Sequence, residues 1–563
     1  MSSQPREMYM SIGADNFRNL REQQGYYVDK TGLIAEYLEK KEAVTLVTRP
    51  RRFGKTLNMS MMAEFFDVTK DSGDIFAGTK VMGTKWTKEM NRYPVIALSF
   101  ANVRGNDAEF MLRMLGLEII QEYGCHSYLW EDDRLPTCER EGLKEFWSGK
   151  WLREGDKNFW VIPRSLFVLC MALEKYHGEK VRMFIDEYDT PFIQALIAGY
   201  YEEIRPVFTV LLSSVLKGNP SLKSAYLTGI QRVAKENIFS GMNNLEVYTV
   251  NDPEYAGYFG FTAAETEALL RYFGMELTDE VRETYDGYHF GDYEVYNPWS
   301  ITNYVHRKRL SPFWVNTAEN SLIHSAVDQV GEKFRKGYEK LIETGSYTTE
   351  VRMDSSFYEY ASVESLWGLL LSAGMLTGEQ IPGRAKEYRL WIPNREVMYA
   401  FEELTARHLG IRGRGMSMMF YALTMKDMRR FEEEYKDILM ELPSYHDLKE
   451  ENSYHMMMLG MCTYLKGEYE VKSNRESGLG RSDICLRAVK PGRPHVVMEF
   501  KYTKDKEKNL KELARAALEQ IREKGYAAGF GGEVLCVGLG HCGKSVEIAW
   551  EVREETCRGT KDV

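Results

Sequence analysis

A lysine and a threonine follow a short apolar run near the start of the chain, in a segment suited to phosphate binding. The run AVTLVT at 43–48 leads into RPRRFGKT, which ends with Lys55 and Thr56. A loop between a buried strand and a helix presents backbone N–H groups and a helix N-terminus to phosphate oxygens. We predict that Lys55 reaches the β- and γ-phosphates of a nucleotide and that the Thr56 hydroxyl helps to hold Mg²⁺.

The loop departs from the general pattern GxxxxGK[ST] at one position, because Arg49 stands where the first Gly belongs. Gly54 still supplies the unusual backbone angle beside Lys55. A basic helix start near the surface is the alternative to a phosphate-binding loop.

A second apolar run ends in two carboxylates. The run VRMFI at 181–185 is followed by Asp186 and Glu187. Parallel α/β sheets bind their ligands at the carboxyl ends of the strands. We therefore predict that Asp186 binds Mg²⁺ through water and that Glu187 polarises the attacking water as general base. An acidic pair that caps the next helix is the alternative.

A third run, SAYLTGI at 224–230, ends near polar residues that are candidates for sensing the γ-phosphate. They are Thr228, Gln231 and Arg232. A plain strand end explains them equally well.

Three charged residues near the C-terminus form a second candidate site. Asp483 lies in SDICL, and Glu499 and Lys501 lie in VVMEFKY. Residues two apart on a strand share a face, so Glu499 and Lys501 project together, and an adjacent antiparallel strand places Asp483 beside Glu499. Adjacent carboxylates repel unless a cation lies between them, and oxygen ligands suit Mg²⁺ or Mn²⁺. Lys501 is predicted to orient or deprotonate water or to stabilise developing charge.

The elements that position the first site alternate between strand and helix up to about residue 310. The predicted strands are 43–48, 93–100, 181–185 and 224–230, and helical periodicity fits 57–66, 109–123, 164–176 and 201–216. Short β-rich runs separated by helices predict an α/β fold, a parallel sheet flanked by helices.

The remaining chain divides into two further regions. Residues 311–442 are predicted to be mostly helical, compatible with a lid or a winged-helix-like module. From residue 443 the predicted order is helix, three strands, helix, strand. Its elements are a helix at 453–465, strands at 469–472, 482–487 and 495–502, a helix from Leu510, and a strand at 533–539. The predicted domains are therefore 1–310, 311–442 and 443–563.

Composition narrows the class of protein. The chain has 563 residues, 44% hydrophobic and 28% charged, which excludes a disordered chain, a collagen and a coiled-coil rod. Its 73 Lys+Arg and 83 Asp+Glu give a net charge of −10. This acidic balance argues against a protein covered in nucleic acid but allows a local basic groove.

No apolar run reaches the roughly 18 residues of a membrane helix, and the first residues lack the apolar core of a signal peptide. Eight cysteines without a CxxC pair favour a reducing, cytoplasmic location.

Four segments resemble, in order, the motifs of bacterial and archaeal AAA-ATPase-like proteins, which typically join this module to a C-terminal nuclease-like domain. They are TRPRRFGKT, FIDEYDTP, LTGIQRVAKENIFSGMNNL and VYNPWS, between about residues 11 and 299. The resemblance implies a P-loop NTPase fold that binds ATP and Mg²⁺. By the same resemblance, Gly54, Lys55, Thr56, Asp186, Glu187 and Arg232 are the nucleotide-site residues, and a loop that starts RPRRFGK is typical, Arg49 included.

The C-terminal order of elements resembles the PD-(D/E)XK nuclease superfamily, with fifteen residues between Asp483 and Glu499. The resemblance implies a restriction-endonuclease-like α/β domain with Asp483 and Glu499 as metal ligands and Lys501 as a catalytic residue. Weaker candidates for supporting roles are Glu476, Glu451, His455 and Gln520, although a packed helix residue is the alternative for His455.

A set of basic residues is predicted to line a nucleic-acid groove with salt-sensitive, largely sequence-independent binding. They are Lys472, Arg475, Arg481, Lys504, Lys506 and Lys508. A solvated helix start is the alternative for 504–511.

These features together predict a cytoplasmic ATPase coupled to a Mg²⁺-dependent nuclease, with Mn²⁺ an alternative metal at the nuclease site. The predicted partner is nucleic acid, with DNA favoured, and no membrane; a homo-oligomer is compatible with the sequence. One alternative is a nucleotide-dependent switch whose nuclease-like domain recognises a partner without cleaving. In another alternative, Asp483, Glu499 and Lys501 have only structural roles, and the loop before Lys55 binds an anion without catalysis.

Overall fold

A computed structural model describes most of the chain. The described ranges are 8–152, 159–232, 243–314, 344–354, 361–408, 413–441, 461–465, 468–477, 480–527 and 530–555, with single residues between 334 and 341 and between 454 and 458. Two compact units are formed by residues 1–314 with 349–389 and by residues 315–348 with 390–563. The predicted middle region contributes residues to both units.

The first unit is built on a parallel sheet, as predicted, but the sheet has five strands where the sequence predicted four. Its strands are β1 Val44–Thr48, β2 Val95–Ser99, β3 Val181–Asp186, β4 Leu222–Gly229 and β5 Leu245–Tyr248. The order is β2-β3-β4-β1-β5, so β4 lies between the strand before the loop and the acidic strand. Every residue of β1 and β3 is buried, which explains why both strands are mainly apolar. Arg182 is a buried charged residue within β3.

Helices cover this sheet through a shared apolar core. The helices of the first unit are α1 Phe17–Glu22, α2 Gly32–Lys40, α3 Lys55–Phe66, α4 Gly73–Phe76, α5 Ala108–Cys125, α6 Tyr128–Glu131, α7 Thr137–Trp147, α8 Ile162–His177, α9 Thr190–Ala198, α10 Tyr201–Leu216, α11 Ala263–Tyr272, α12 Asp279–Tyr285, α13 Pro298–Arg307 and α14 Val363–Ser372. Apolar residues of α5, α8, α9 and α10 share one core with β1 to β4. A predicted α/β architecture is thereby confirmed.

Two small sheets accompany the main one. The first has the order β6-β8-β7, with β6 Phe261–Thr262, β7 Tyr288–Phe290 and β8 Tyr293–Tyr296. The second has the order β10-β11-β9, with β9 Tyr347–Glu350, β10 Thr377–Gln380 and β11 Glu387–Trp391. The middle of the chain is otherwise helical in its described part, with α15 Arg395–His408, α16 Gly413–Thr424 and α17 Met428–Glu441.

The C-terminal unit holds a mixed five-stranded sheet. Its elements are β12 Tyr469–Ser477, β13 Gly480–Ala488, β14 His495–Tyr502, α18 Leu510–Lys524, β15 Gly532–Cys542 and β16 Ser545–Glu555. Strands follow their order in the chain, with β14 and β15 parallel and the other neighbours antiparallel. The predicted order of three strands, a helix and a strand is present, and β16 is an additional strand. Much of the predicted helix at 453–465 lies outside the described residues.

The two faces of β14 meet different partners. Met498 and Phe500 belong to the core that contains apolar residues of α16 and α17. Val497 belongs to a separate core with Leu518 and Ile521 of α18. Glu499 and Lys501 therefore lie on the α18 face, because they share the parity of Val497. Among the described helices, none has the length and apolar character needed to cross a membrane.

Candidate nucleotide and nuclease sites

The loop between β1 and α3 contains two residues with a left-handed backbone conformation. Gly54 has a φ of 84°, which confirms the prediction that this glycine supplies an unusual backbone angle. Arg52 is also left-handed, with a φ of 68°. Lys55 then starts α3, a helix of twelve residues whose first N–H groups have no partner within the helix.

The ammonium of Lys55 lies inside the loop. Its Nζ donates hydrogen bonds to the carbonyl oxygens of Arg49 at 3.0 Å and Pro50 at 2.9 Å. Burial lowers the pKa of Lys55, while the carboxylates of Glu187 and Asp186 oppose that shift. A buried cation that forms no ion pair with a described residue is poised to gain from an anionic phosphate.

Asp186 gathers polar groups from three elements at the carboxyl edge of the sheet. Its Oδ2 accepts a hydrogen bond from the Thr56 hydroxyl at 2.6 Å, and its Oδ1 accepts one from the Thr228 hydroxyl. The side chain is 3% exposed. The first turn of α3, the tip of β3 and the end of β4 therefore meet at one carboxylate.

Glu187 has a left-handed backbone, with a φ of 49°, which is uncommon for a glutamate and is found at functional sites. Its Oε2 accepts a hydrogen bond from the Thr190 hydroxyl at 3.2 Å and lies 3.9 Å from a guanidinium nitrogen of Arg104. Arg104 follows β2, and no sequence motif pointed to it. The segment between β2 and Arg104 is joined to the end of β3 by the Phe100 N–H, which donates to the main-chain oxygen of Asp186 at 2.9 Å.

Of the predicted γ-phosphate sensors, Thr228 contacts the acidic strand directly. The N–H of Gln231 donates to Asp189 Oδ2 at 2.8 Å, and burial raises the pKa of Asp189. Arg232 has no hydrogen bond or ion pair with any described residue, and the adjoining residues 233–242 lie outside the described part. Its role remains a prediction.

Arg49, at the atypical loop position, is fully buried. Its guanidinium donates hydrogen bonds to the main-chain oxygens of Thr48, Tyr248, Thr249 and Glu254 at 2.6–3.2 Å. Burial lowers the pKa of Arg49 to about 10. The side chain thus ties the loop to the segment after β5, which is a structural reason for Arg at this position.

The two predicted carboxylates of the C-terminal site face each other across β13 and β14. The ladder between these strands pairs Ile484 with Met498, so Asp483 stands opposite Glu499 one step further. The Asp483 N–H donates to Glu499 Oε2 at 3.3 Å, and the Phe500 N–H donates to Asp483 Oδ2 at 2.9 Å. At this position the main-chain N–H groups of the two strands therefore donate to carboxylate oxygens and not to main-chain oxygens.

Helix α18 contributes to this site. The Gln520 amide donates a hydrogen bond to Glu499 Oε1. Tyr526 is 2% exposed, and its pKa is raised by burial, with the charges of Glu499 and Asp483 adding to the shift. Gly538 allows the close approach of α18, because a Cβ there would lie 2.3 Å from the Ala514 oxygen. Sequence reasoning named Gln520 only tentatively and missed Tyr526.

Lys501 lies two residues beyond Glu499 on the same face and is half-buried. It makes no side-chain hydrogen bond or ion pair within the described part of the chain. Lys504, Lys506 and Lys508 are exposed. Several other candidates lie outside the described residues or have side chains that do: Glu451, His455, Lys472, Arg475, Glu476 and Arg481.

Family models match both ends of the chain. The model of predicted AAA-ATPases matches residues 11–239, and that of the PD-(D/E)XK nuclease superfamily matches residues 449–551. The chain joins an AAA-ATPase-like domain to a PD-(D/E)XK nuclease-superfamily domain.

Two further similarities accompany these matches. An uncharacterized protein in the vnfD 5′ region of Azotobacter chroococcum mcd 1 is 28% identical over 413 residues, which are 71% of this chain and 70% of that protein. A Signal Transduction ATPase with Numerous Domains (STAND) protein with a tetratricopeptide repeat sensor, from Pyrococcus horikoshii, is 12% identical. The match covers 78% of this chain and about half (53%) of that protein, and its TM-score of 0.21 does not establish a shared fold.

The donor atoms at both sites suit Mg²⁺. Thr56 and Asp186 in the AAA-ATPase-like domain, and Asp483 and Glu499 in the nuclease-superfamily domain, provide oxygen donors. No group of three or more His, Cys, Asp or Glu side chains able to share an ion occurs among the described residues. One or two carboxylates, completed by water and substrate phosphate, are what Mg²⁺ ordinarily takes, unlike a closed zinc site.

A buried histidine makes the nuclease-superfamily domain sensitive to acid. His541 is fully buried, stacks on Tyr454 and lies 3.0 Å from the Tyr435 hydroxyl. Burial lowers the pKa of His541 from 6.5 to about 3. Because the folded pKa lies below the unfolded one, the unfolded chain binds the proton first as the pH falls below 6.5. We expect a loss of about 1.4 kcal/mol of stability per pH unit between pH 6.5 and 3 from this residue.

Denaturant titrations between pH 7.5 and 5 test this expectation. The difference in free energy of unfolding between wild type and His541→Asn should shrink as the pH falls, since only the wild type has this group to protonate on unfolding. The exposed His306→Asn is the matched control and should leave the wild-type slope unchanged. Parallel curves for wild type and His541→Asn would contradict the prediction.

Proposed function

We propose that the chain binds and hydrolyses ATP in its N-terminal domain (1–310) and cleaves phosphodiester bonds of nucleic acid, with DNA the favoured substrate, in its C-terminal domain (443–563). Both reactions are proposed to need Mg²⁺, with Mn²⁺ able to replace it in cleavage. The seven cysteines in the described part are free, which supports a cytoplasmic location.

The contact between Thr56 and Asp186 carries the ATPase half of the proposal. It joins the residue after the loop lysine to the acidic end of β3, although 130 residues separate them in the chain. Hydroxyl and carboxylate oxygens in this arrangement are the Mg²⁺ donors of P-loop NTPases. Lys55 lies beside them and supplies a positive charge for the phosphates.

The opposed carboxylates of Asp483 and Glu499 support the nuclease half. Neighbouring carboxylates repel unless a cation or a proton lies between them, so the placement of Asp483 opposite Glu499 favours cation binding. Gln520 fixes one oxygen of Glu499 through a hydrogen bond. Lys501 is placed on the same face by strand geometry, where its ammonium is available to a phosphodiester oxygen.

Each residue has a defined task in the proposed reactions. In the AAA-ATPase-like domain, Lys55 binds the β- and γ-phosphates and Glu187 accepts the proton of the attacking water. In the nuclease-superfamily domain, Lys501 orients water and stabilises negative charge on the scissile phosphate. Bound Mg²⁺ would neutralise phosphate charge at the first site and activate water at the second.

Purified full-length protein tests both halves. Phosphate release from ATP with Mg²⁺ measures the first activity, and cleavage of single-stranded DNA, duplex DNA and RNA with Mg²⁺ or Mn²⁺, with and without ATP, measures the second. Cleavage of none of these substrates would overturn the nuclease half. Tight ATP binding without hydrolysis would replace the ATPase half with a nucleotide-dependent switch.

A further inference from the structure

The phosphate-binding loop holds a backbone conformation that its sequence does not favour. Arg52 has a φ of 68°, in the left-handed region where residues with a Cβ are disfavoured relative to glycine. Gly54, two residues later, is left-handed without that cost. Non-glycine residues persist in this region when surrounding contacts hold them there, and such residues cluster at ligand-binding sites. A contact that holds Arg52 is therefore expected.

Trp299 provides that contact. The guanidinium carbon of Arg52 lies 4.1 Å from the Trp299 ring centroid, within the range of a cation–π interaction. Trp299 belongs to the YNPWS segment, almost 250 residues further along the chain, for which the proposed function has no use.

The start of α13 and a later main-chain oxygen hold the tryptophan in place. The Asn297 side chain accepts a hydrogen bond from the Trp299 N–H at 2.9 Å and caps the helix, and Pro298 occupies its first position. The indole N–H donates to the Phe313 main-chain oxygen at 3.2 Å. The ring is therefore a fixed platform and not an adaptable surface side chain.

We propose that Trp299 is a positioning residue for ATP binding, acting by stacking on Arg52 to keep the loop in its phosphate-binding conformation. With Arg52 left-handed, the N–H groups that precede α3 stay grouped at the helix N-terminus, where anions bind. Trp299 needs no contact with the nucleotide in this role. The inference rests on the proposed function, because it assumes that this loop binds ATP.

A double-mutant cycle separates this role from simple packing, which Trp299 also provides, since a Cβ at Gly13 would lie 3.3 Å from its ring. Trp299→Ala in the full-length chain should raise the Kd for Mg-ATP about 2- to 30-fold, the range of a cation–π contact. In the Arg52→Gly background, the same change should leave the Kd nearly constant, because glycine adopts the left-handed conformation unaided. Isothermal titration with a non-hydrolysable ATP analogue measures all four proteins.

Matched variants make the outcome decisive. Trp86→Ala removes a ring that lies 4.7 Å from Lys85 Nζ, away from the loop, and should leave the Kd unchanged. Trp299→Phe retains an aromatic face and should restore most of the affinity. Trp299→Leu, which fills space without an aromatic face, replaces Trp299→Ala in the cycle if the alanine variant does not fold. An equal fold-change in both Arg52 backgrounds overturns the inference while leaving ATP binding intact. A wild-type chain that binds no ATP overturns both the inference and the proposed ATPase.

Discussion

Replacing Asp483 by Asn is expected to reduce nucleic-acid cleavage by roughly 10²–10³-fold or more, the loss seen when one preorganised charge-stabilising group is removed. The substitution keeps the side-chain shape, and the amide oxygen can still accept the Phe500 N–H that Asp483 accepts at 2.9 Å. It removes the negative charge that faces Glu499, so the site keeps one carboxylate for the cation in place of two. Cleavage rates of labelled DNA at saturating Mg²⁺ measure the loss.

Stability separates a catalytic loss from unfolding in this variant. Because Asp483 and Glu499 repel each other without a cation, Asp483→Asn should unfold at the same temperature as the wild type or higher in chelator. Glu554→Gln, an exposed carboxylate on β16, is the matched control and should cleave normally. ATP hydrolysis by Asp483→Asn should equal that of the wild type. Cleavage by Asp483→Asn at the wild-type rate would show that Asp483 has no role in the reaction.

The core of both sites could be predicted from sequence where a motif stands at a strand end. β1 and β3 are mainly apolar runs. Thr56, just after the loop that follows β1, and Asp186, at the end of β3, do make contact. Alternation in VVMEFKY placed Glu499 and Lys501 on one face. The separate cores on the two faces of β14, with Met498 in one and Val497 in the other, agree with that alternation. Local pattern sufficed because burial fixes which way each side chain points.

Other features depend on contacts that no local pattern shows. Three of the four main-chain oxygens that Arg49 contacts lie about 200 residues away, so its structural role could not be predicted from the loop sequence. Strand β16, SVEIAWEVREE, was missed because charged residues interrupt its apolar positions on an edge strand. Tyr526 follows α18, and its place near the charges of Glu499 and Asp483 depends on the packing of that helix, which Gly538 allows to come close.

The charge of Lys55 is expected to be essential for ATP turnover. Its Nζ is held by two carbonyl oxygens, and burial already disfavours the charged form. An incoming triphosphate would supply the counter-charge that the loop lacks, so the interaction strengthens as charge builds on the γ-phosphate. Lys55→Ala should lower ATP hydrolysis by roughly 10²–10³-fold or more and weaken ATP binding. Phosphate release and equilibrium titration measure the two effects.

Comparing Glu187→Gln with Lys55→Ala separates ATP binding from ATP hydrolysis. The glutamine can still accept the Thr190 hydroxyl, which lies 3.2 Å from the carboxylate, but it cannot accept a proton from water. It should therefore bind ATP like the wild type and fail to hydrolyse it, whereas Lys55→Ala should lose both. Lys88→Ala, an exposed lysine of the same domain, should change neither. Hydrolysis at the wild-type rate by Lys55→Ala would mean that ATP binds at another site, and hydrolysis by Glu187→Gln would require another general base.

DNA cleavage without ATP should survive in both variants, because the carboxylates that carry it belong to a separate site.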